Sequence, residues 1–143
     1  MASILKVDEL RGIASAGDIT VTSEGGAATQ SLQQGLAKAW VNLSGSSLTN
    51  PASLTGVNDS FNTSSVLDVQ VGEATVSFTN SMNNNDYSVS GTSNQANTVG
   101  GRNSNFGAYA FGVSSYTFCT SRANTAATED GFVVSATAHG DLA

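Results

Sequence analysis

Short runs of alternating apolar and polar residues fill this chain, and turn-forming residues separate them. Near the start, residues 4–10 alternate so that Leu5, Val7 and Glu9 share one side, and "DITVT", residues 18–22, sets Ile19 beside Val21. Two such strands joined by "RGIASAG" predict a small hairpin. After Gly25 and Gly26, "TQSLQQGLAKAW" places Leu32, Leu36 and Ala39 or Trp40 at helical spacing, with Thr29 as N-cap. The end of that run changes period, because Ala39, Val41 and Leu43 alternate. A short helix to about residue 35 and a strand from about residue 38 are therefore expected.

Beyond residue 44, turn clusters such as "SGSSLTNPAS", "NSMNNND", "GTSNQANTVGGRNSN" and "SRANTAATEDG" recur at short intervals. Alternating segments lie between them at 60–66, 74–80, 87–91, 106–120 and 131–139. Strands at this spacing predict an antiparallel sandwich or barrel, and of the two a β-sandwich, jelly-roll-like in outline, is the expectation. In "GEATVSFTNSMNNNDYSVSG", residues 72–91, Ala74, Val76 and Phe78 face one way and Thr75, Ser77 and Thr79 the other. The two halves of that stretch read as a hairpin whose turn is Asn83, Asn84, Asn85 and Asp86. Tyr109 and Phe111 are expected on one face, as are Tyr116 and Phe118, and Phe132 is expected in line with Val134, Ala136 and Ala138. The aromatic set reads as a strand crossing the core rather than a sugar-stacking platform. The domains read as an N-terminal segment over 1–24 that docks on something, a linker with a short helix over 25–37, and a β-sandwich over 38–143.

Composition supports the β reading. Ser, Thr, Asn and Gly make up 64 of 143 residues, and Ser, Thr and Asn side chains compete with the helical backbone for hydrogen bonds. The formal charge is −6, with only five Lys and Arg, so no basic patch is available for nucleic acid. No apolar run approaches the ~20 residues of a membrane helix, and no secretory signal is read at the N-terminus. If the protein leaves its cell, something other than its own N-terminus is expected to take it out. Cys119 is the single cysteine, which excludes an intrachain disulfide and predicts a buried thiol.

Candidate chemistry is sparse. His139 is the single histidine and falls on the polar side of the last strand, without the nucleophile and orienting group of a triad. The acids fall mostly in turns, and neighbours such as Glu129 and Asp130 point to opposite sides of an extended segment. "NSMNNNDYS" lacks the spaced carboxylates and central Gly of a calcium loop, and "TVGGRNSNFG" lacks the Lys-Ser/Thr of a phosphate loop. No catalytic residue, metal ligand or cofactor is therefore assigned. The polar loops that remain as ligand-facing candidates hold Asn83, Asn84, Asn85, Asp86, Arg102, Asn103 and Asn105.

Three segments together carry a family likeness. "ILKVDELRG" followed by "GDITVTSEGG", then "LQQGLAKAWVNLSG", then "SFNTSSV" with "GEATVSFTNSMNNNDYSVSG", resemble tail-fibre and related virion proteins of tailed bacteriophages, especially those of marine cyanobacteria and other marine bacteria. The likeness spans roughly residues 3–91. Leu43 and Ala74 depart from it, standing where an aromatic and a Tyr are usual, and "SLTNPASLTGVND" is an insertion.

The resemblance implies a structural virion protein and no enzyme. Its N-terminal segment, through Ile4, Leu5, Val7 and Leu10, would anchor to other tail or capsid proteins. Its β domain would be displayed outward as a homotrimer, a short tail fibre or tail-associated protein touching a host glycan or protein receptor. A head fibre or capsid decoration protein, and a carbohydrate-binding module without catalysis, are the alternatives.

Overall fold

The computed structural model describes residues 5–11, 19–23, 25–26, 28–94, 104–122 and 126–143. The chain divides into two compact units, Met1–Leu36 and Ala37–Ala143. It is mainly β, and every strand pairing among the described residues is antiparallel.

In the first unit β1 (Thr20–Thr22) pairs with β2 (Thr29–Ser31), and the single helical turn α1 (Leu32–Gly35) follows directly. This corrects the expected hairpin. Residues 5–11 form no strand, and the partner of β1 lies ahead of it in the chain. Gly26, at φ +69°, turns the backbone immediately after β1, and the Ser23 N–H closes the loop on the Ala28 carbonyl at 2.8 Å. Thr29 is consequently a strand residue rather than a helix cap, and the boundary expected at residue 24 falls inside one hairpin.

Among its described residues the second unit holds eight strands: β3 (Ala39–Leu43), β4 (Val57–Phe61), β5 (Thr63–Gln70), β6 (Glu73–Phe78), β7 (Ser88–Asn94), β8 (Ser104–Gly112), β9 (Ser115–Arg122) and β10 (Val133–His139). One sheet has the order β4-β3-β10-β7 and the other β5-β6-β9-β8. Alternation decides what each sheet buries. Ala39, Val41, Leu43, Val134, Ala136 and Ala138 come inward from the first, and Val66, Ala74, Val76, Phe78, Tyr116 and Phe118 from the second. All twelve belong to one apolar cluster, an arrangement compatible with a β-sandwich. The order departs from a jelly roll, because neighbours β3-β4, β5-β6 and β8-β9 stay within one sheet as hairpins instead of crossing between sheets.

Three features shape the domain in ways the alternation does not show. The expected strand over 60–66 is broken at Asn62, whose φ of +55° turns the chain out of β4 in one sheet and into β5 in the other. Asparagine tolerates this left-handed conformation better than other residues with a β-carbon. The expected hairpin over 72–91 is also corrected: β6 and β7 belong to different sheets, and residues 79–87 arch between them. Two buried side chains pin that arch. Met82 is buried and its N–H donates to the Val113 carbonyl at 2.8 Å, while the Tyr87 hydroxyl lies 3.0 Å from the Gly112 carbonyl and 2.9 Å from that of Ser115.

The third feature is a bulge in β8. Tyr109 pairs with Thr117 and Gly112 with Ser115, so β8 carries one extra residue there, with Ala110 at φ +49°. The bulge reverses the phase of alternation. Phe111 therefore turns inward, edge to face with Tyr87 at 5.2 Å, whereas Tyr109 faces out, contrary to the expectation that they share a face. Phe132 likewise lies exposed ahead of β10, and Cys119 is half-buried on the outer side rather than in the core.

Candidate functional site

The expected ligand-facing residues divide by position. Asn83, Asn84, Asn85 and Asp86 are all exposed on the arch. The Asp86 N–H donates to Asn84 Oδ1 at 2.8 Å, so a side chain organises the turn, and the Asn83 N–H donates to the Asp141 carbonyl at 2.8 Å. Asn105 is exposed on β8, opposite Ser121. The arch is bonded to Val113, eight residues further along the chain than Asn105, which at about 3.3 Å per residue, less the extra residue of the bulge, puts the two roughly 20–25 Å apart. They do not form one site. Arg102 and Asn103 lie outside the described residues, as does Ile4.

Of the anchoring candidates, Leu5, Val7 and Leu10 are 79%, 55% and 55% exposed. Beside them Arg11 Nη2 lies 2.5 Å from Glu9 Oε1, an exposed pair of little energetic weight. Val21 and Leu36 of the same unit are also exposed.

No group of three or more His, Cys, Asp and Glu converges among the described residues. His139 ends β10, opposite Ser88 of β7. Asp68, Glu73 and Asp130 line a small cleft with Gly72 and Thr120, but its volume is about 10 Å³, room for roughly one water. Its groups are already used in the fold. The Gly72 N–H donates to Asp130 Oδ1 at 2.7 Å, and Thr120 Oγ1 donates to the Glu129 carbonyl at 2.6 Å. Lys38 is mostly covered, and burial lowers its pKa, with the Asp141 carboxylate acting in the other direction. No helix among the described residues is long and apolar enough to cross a membrane.

The outer faces of the two sheets differ in character. On the β5-β6-β9-β8 sheet, Leu67, Thr75, Thr117 and Tyr109 form a row across the strands, in which the Thr75 and Thr117 hydroxyls bond at 2.8 Å. The Glu73 carboxylate holds the exposed Tyr109 phenol above its ordinary pKa.

On the β4-β3-β10-β7 sheet, one row runs Phe61, Trp40, Thr137, Ser90 and the next runs Asp59, Asn42, Ser135, Thr92. Asn58 Nδ2 donates to Asn42 Oδ1 at 2.8 Å, and Asn42 Nδ2 donates to Ser135 Oγ at 2.7 Å, so the middle of the second row is held by hydrogen bonds. Over the β10 and β7 ends of these rows Ser90, Gly91, Thr92, Ser135 and Thr137 line an open groove of about 280 Å³.

Sequence reasoning missed this second face. The alternation of Ala39, Val41 and Leu43 implied that Trp40 and Asn42 turn outward, but their neighbours come from residues 59–61, 90–92 and 135–137 and are joined only by the fold. Compared with models of protein families, with curated proteins and with solved structures, the chain matches none.

Proposed function

We propose that this chain is a non-catalytic structural protein of a tailed-bacteriophage virion, in which the first unit docks to the particle and the second displays a β domain. The observation that carries the reading is the set of exposed apolar side chains in the first unit, Leu5, Val7, Leu10, Val21 and Leu36. A single hairpin and one helical turn cannot bury such a set alone, and apolar side chains on a short segment of this kind are what an obligate protein partner covers. The likeness of residues 3–91 to tail-fibre and related virion proteins names that partner class: other tail or capsid proteins.

A short tail fibre or tail-associated protein is the first assignment within that class, with assembly as a homotrimer. A head fibre or capsid decoration protein is the second. Four sheet edges, β4 and β7 in one sheet and β5 and β8 in the other, give a self-associating chain strands to cover.

Density-gradient sedimentation of phage particles carrying an epitope-tagged copy tests the reading. The tagged chain is expected to band with intact particles and to remain there after a high-salt wash, and gold labelling then places it on tail or head. A chain that stays at the top of the gradient as a free monomer overturns the proposal.

A further inference from the structure

We propose that the outward face of the β4-β3-β10-β7 sheet binds a neutral carbohydrate chain, which stacks on Trp40 beside Phe61 and runs over the hydroxyl and carboxamide groups of β3, β10 and β7. The inference does not depend on attachment to a particle, because it concerns the chemistry of one sheet.

Trp40 lies between Ala39 and Val41, both 2% exposed, so strand alternation directs its indole to the opposite face. Phe61 is its direct cross-strand partner and is 52% exposed. The exposed Phe61 and the half-buried Trp40 together give an apolar surface on the outside of the sheet for the C–H face of a sugar ring, and the indole N–H adds a donor at the edge.

The other side of Trp40 is polar without being charged. Thr137 and Ser90 continue its row, and Asn42, Ser135 and Thr92 extend the next, whose one carboxylate, Asp59, stands at the Phe61 end. Hydroxyls donate and accept, and carboxamides do both, which matches a ligand whose edge is a series of hydroxyl groups. The bonds from Asn58 to Asn42 and from Asn42 to Ser135 orient these groups before a ligand arrives, which reduces the ordering cost of binding. The groove of about 280 Å³ beside β7 and β10 is shallow and open, the shape for part of a polymer rather than an enclosed small molecule.

Charge narrows the class of ligand. Asp59 on β4 and His139 on β10 are the titratable groups at outward positions of this sheet among the described residues, and the chain carries a formal charge of −6. A sulfated or uronic-acid polymer would be repelled, and a neutral one would not. A second copy of the chain is the less fitting occupant, because buried cores of obligate interfaces are apolar and most of this face is hydroxyl and amide.

The test is native electrophoresis of the full chain through gels cast with neutral glucan, mannan, galactan or xylan, with alginate as the polyanion. The fluorescence of Trp40, the only tryptophan, is followed in parallel. Retardation by at least one neutral polymer is expected, with a change in Trp40 emission. Trp40→Ala should weaken it by about tenfold or more, the loss of one well-placed ring.

Ser90→Lys, an exposed change remote from the core, should block the groove without affecting folding. Tyr109→Ala, on the outer face of the other sheet, should bind as the parent does. Silence across the neutral panel, binding to alginate alone, or retention that ignores both Trp40→Ala and Ser90→Lys overturns the proposal. So does a concentration-dependent change in Trp40 emission without polysaccharide that coincides with dimerisation, since a second copy would then cover the face.

Discussion

The Asn80 backbone N–H donates to the Asn62 side-chain oxygen at 2.7 Å, and Asn62 returns the contact by donating its own amide to the Asn80 carbonyl at 3.0 Å. The same amide reaches the Lys38 carbonyl at 3.0 Å. One side chain thus ties the corner between β4 and β5 to the start of β3 and the end of β6, while its backbone sits at φ +55°. Asn62→Ala should cost about 3 kcal/mol or more, since it removes several hydrogen bonds and places a β-carbon without compensation in the left-handed region. Asn62→Gly should cost less, because glycine accepts that conformation. Urea unfolding with an unchanged m-value would measure both, and equal losses would show that backbone conformation contributes nothing at this corner.

Gly72 offers a sharper contrast. It lies at φ +77°, and a β-carbon there would fall 2.6 Å from the Thr120 carbonyl oxygen and 2.7 Å from the Glu129 nitrogen. Gly72→Ala is therefore expected to cost about 3 kcal/mol or more, because strain and a backbone clash add. Gly26, at φ +69°, has nothing within 4 Å of the same position, and Gly26→Ala should cost only the conformational ~1–2 kcal/mol. Thermal unfolding of the two variants checks the order.

Much of the β unit could be read before the fold was known, because burial alternates wherever strands are regular. Ala74, Val76 and Phe78, and Val134, Ala136 and Ala138, are inward as their spacing predicts. What failed was pairing. Asn83 to Asp86 carry hairpin-turn chemistry, yet the strands on either side enter different sheets, because Met82 and Tyr87 are buried between them and draw the chain across the core. Alternation reports which side of a strand is buried and does not report its neighbour. The bulge after Tyr109 was invisible for a related reason: Ala110 at φ +49° is not a residue that composition marks as left-handed.

The candidate surfaces were legible to different degrees. The Asn cluster was visible as a polar tip, and it is exposed. The face around Trp40 was not visible, since Phe61, Thr137 and Ser90 reach it from three other strands. Long-range register brings such rows together, and a single sequence carries no direct signal of it.

The exposed leucines separate folding from docking. Leu5→Ser and Leu10→Ser together should leave the unfolding midpoint of the β unit within about 0.5 kcal/mol of the parent, as exposed substitutions do. Loss of particle association in the same variant is the expected result. If the pair still bands with particles, the docking surface lies elsewhere on the chain.

Alkaline pH should unfold the protein through its buried phenols. Burial raises Tyr87 from 10.0 to about 12, and raises Tyr116 as well. Each is an acid whose native pKa lies above its unfolded value, so above pH 10.0 the native state binds more protons than the unfolded chain. This stabilisation is complete below pH 10.0 and is lost as the pH rises from there through about 12. Lys38 acts in the opposite sense: its native pKa is depressed below 10.5, so the cost of keeping it charged in the fold is relieved as the pH approaches that value. Stability is thus expected to hold or rise slightly toward pH 10.0 and then to fall steeply. Tyr87→Phe should lose about 1–3 kcal/mol at neutral pH, because the Gly112 and Ser115 carbonyls lose their hydroxyl donor. The same variant should show a shallower alkaline decline, since one of the two phenols no longer titrates. Urea midpoints measured across the alkaline range decide it, and parallel curves for parent and variant would exclude Tyr87 as a source of the alkaline loss.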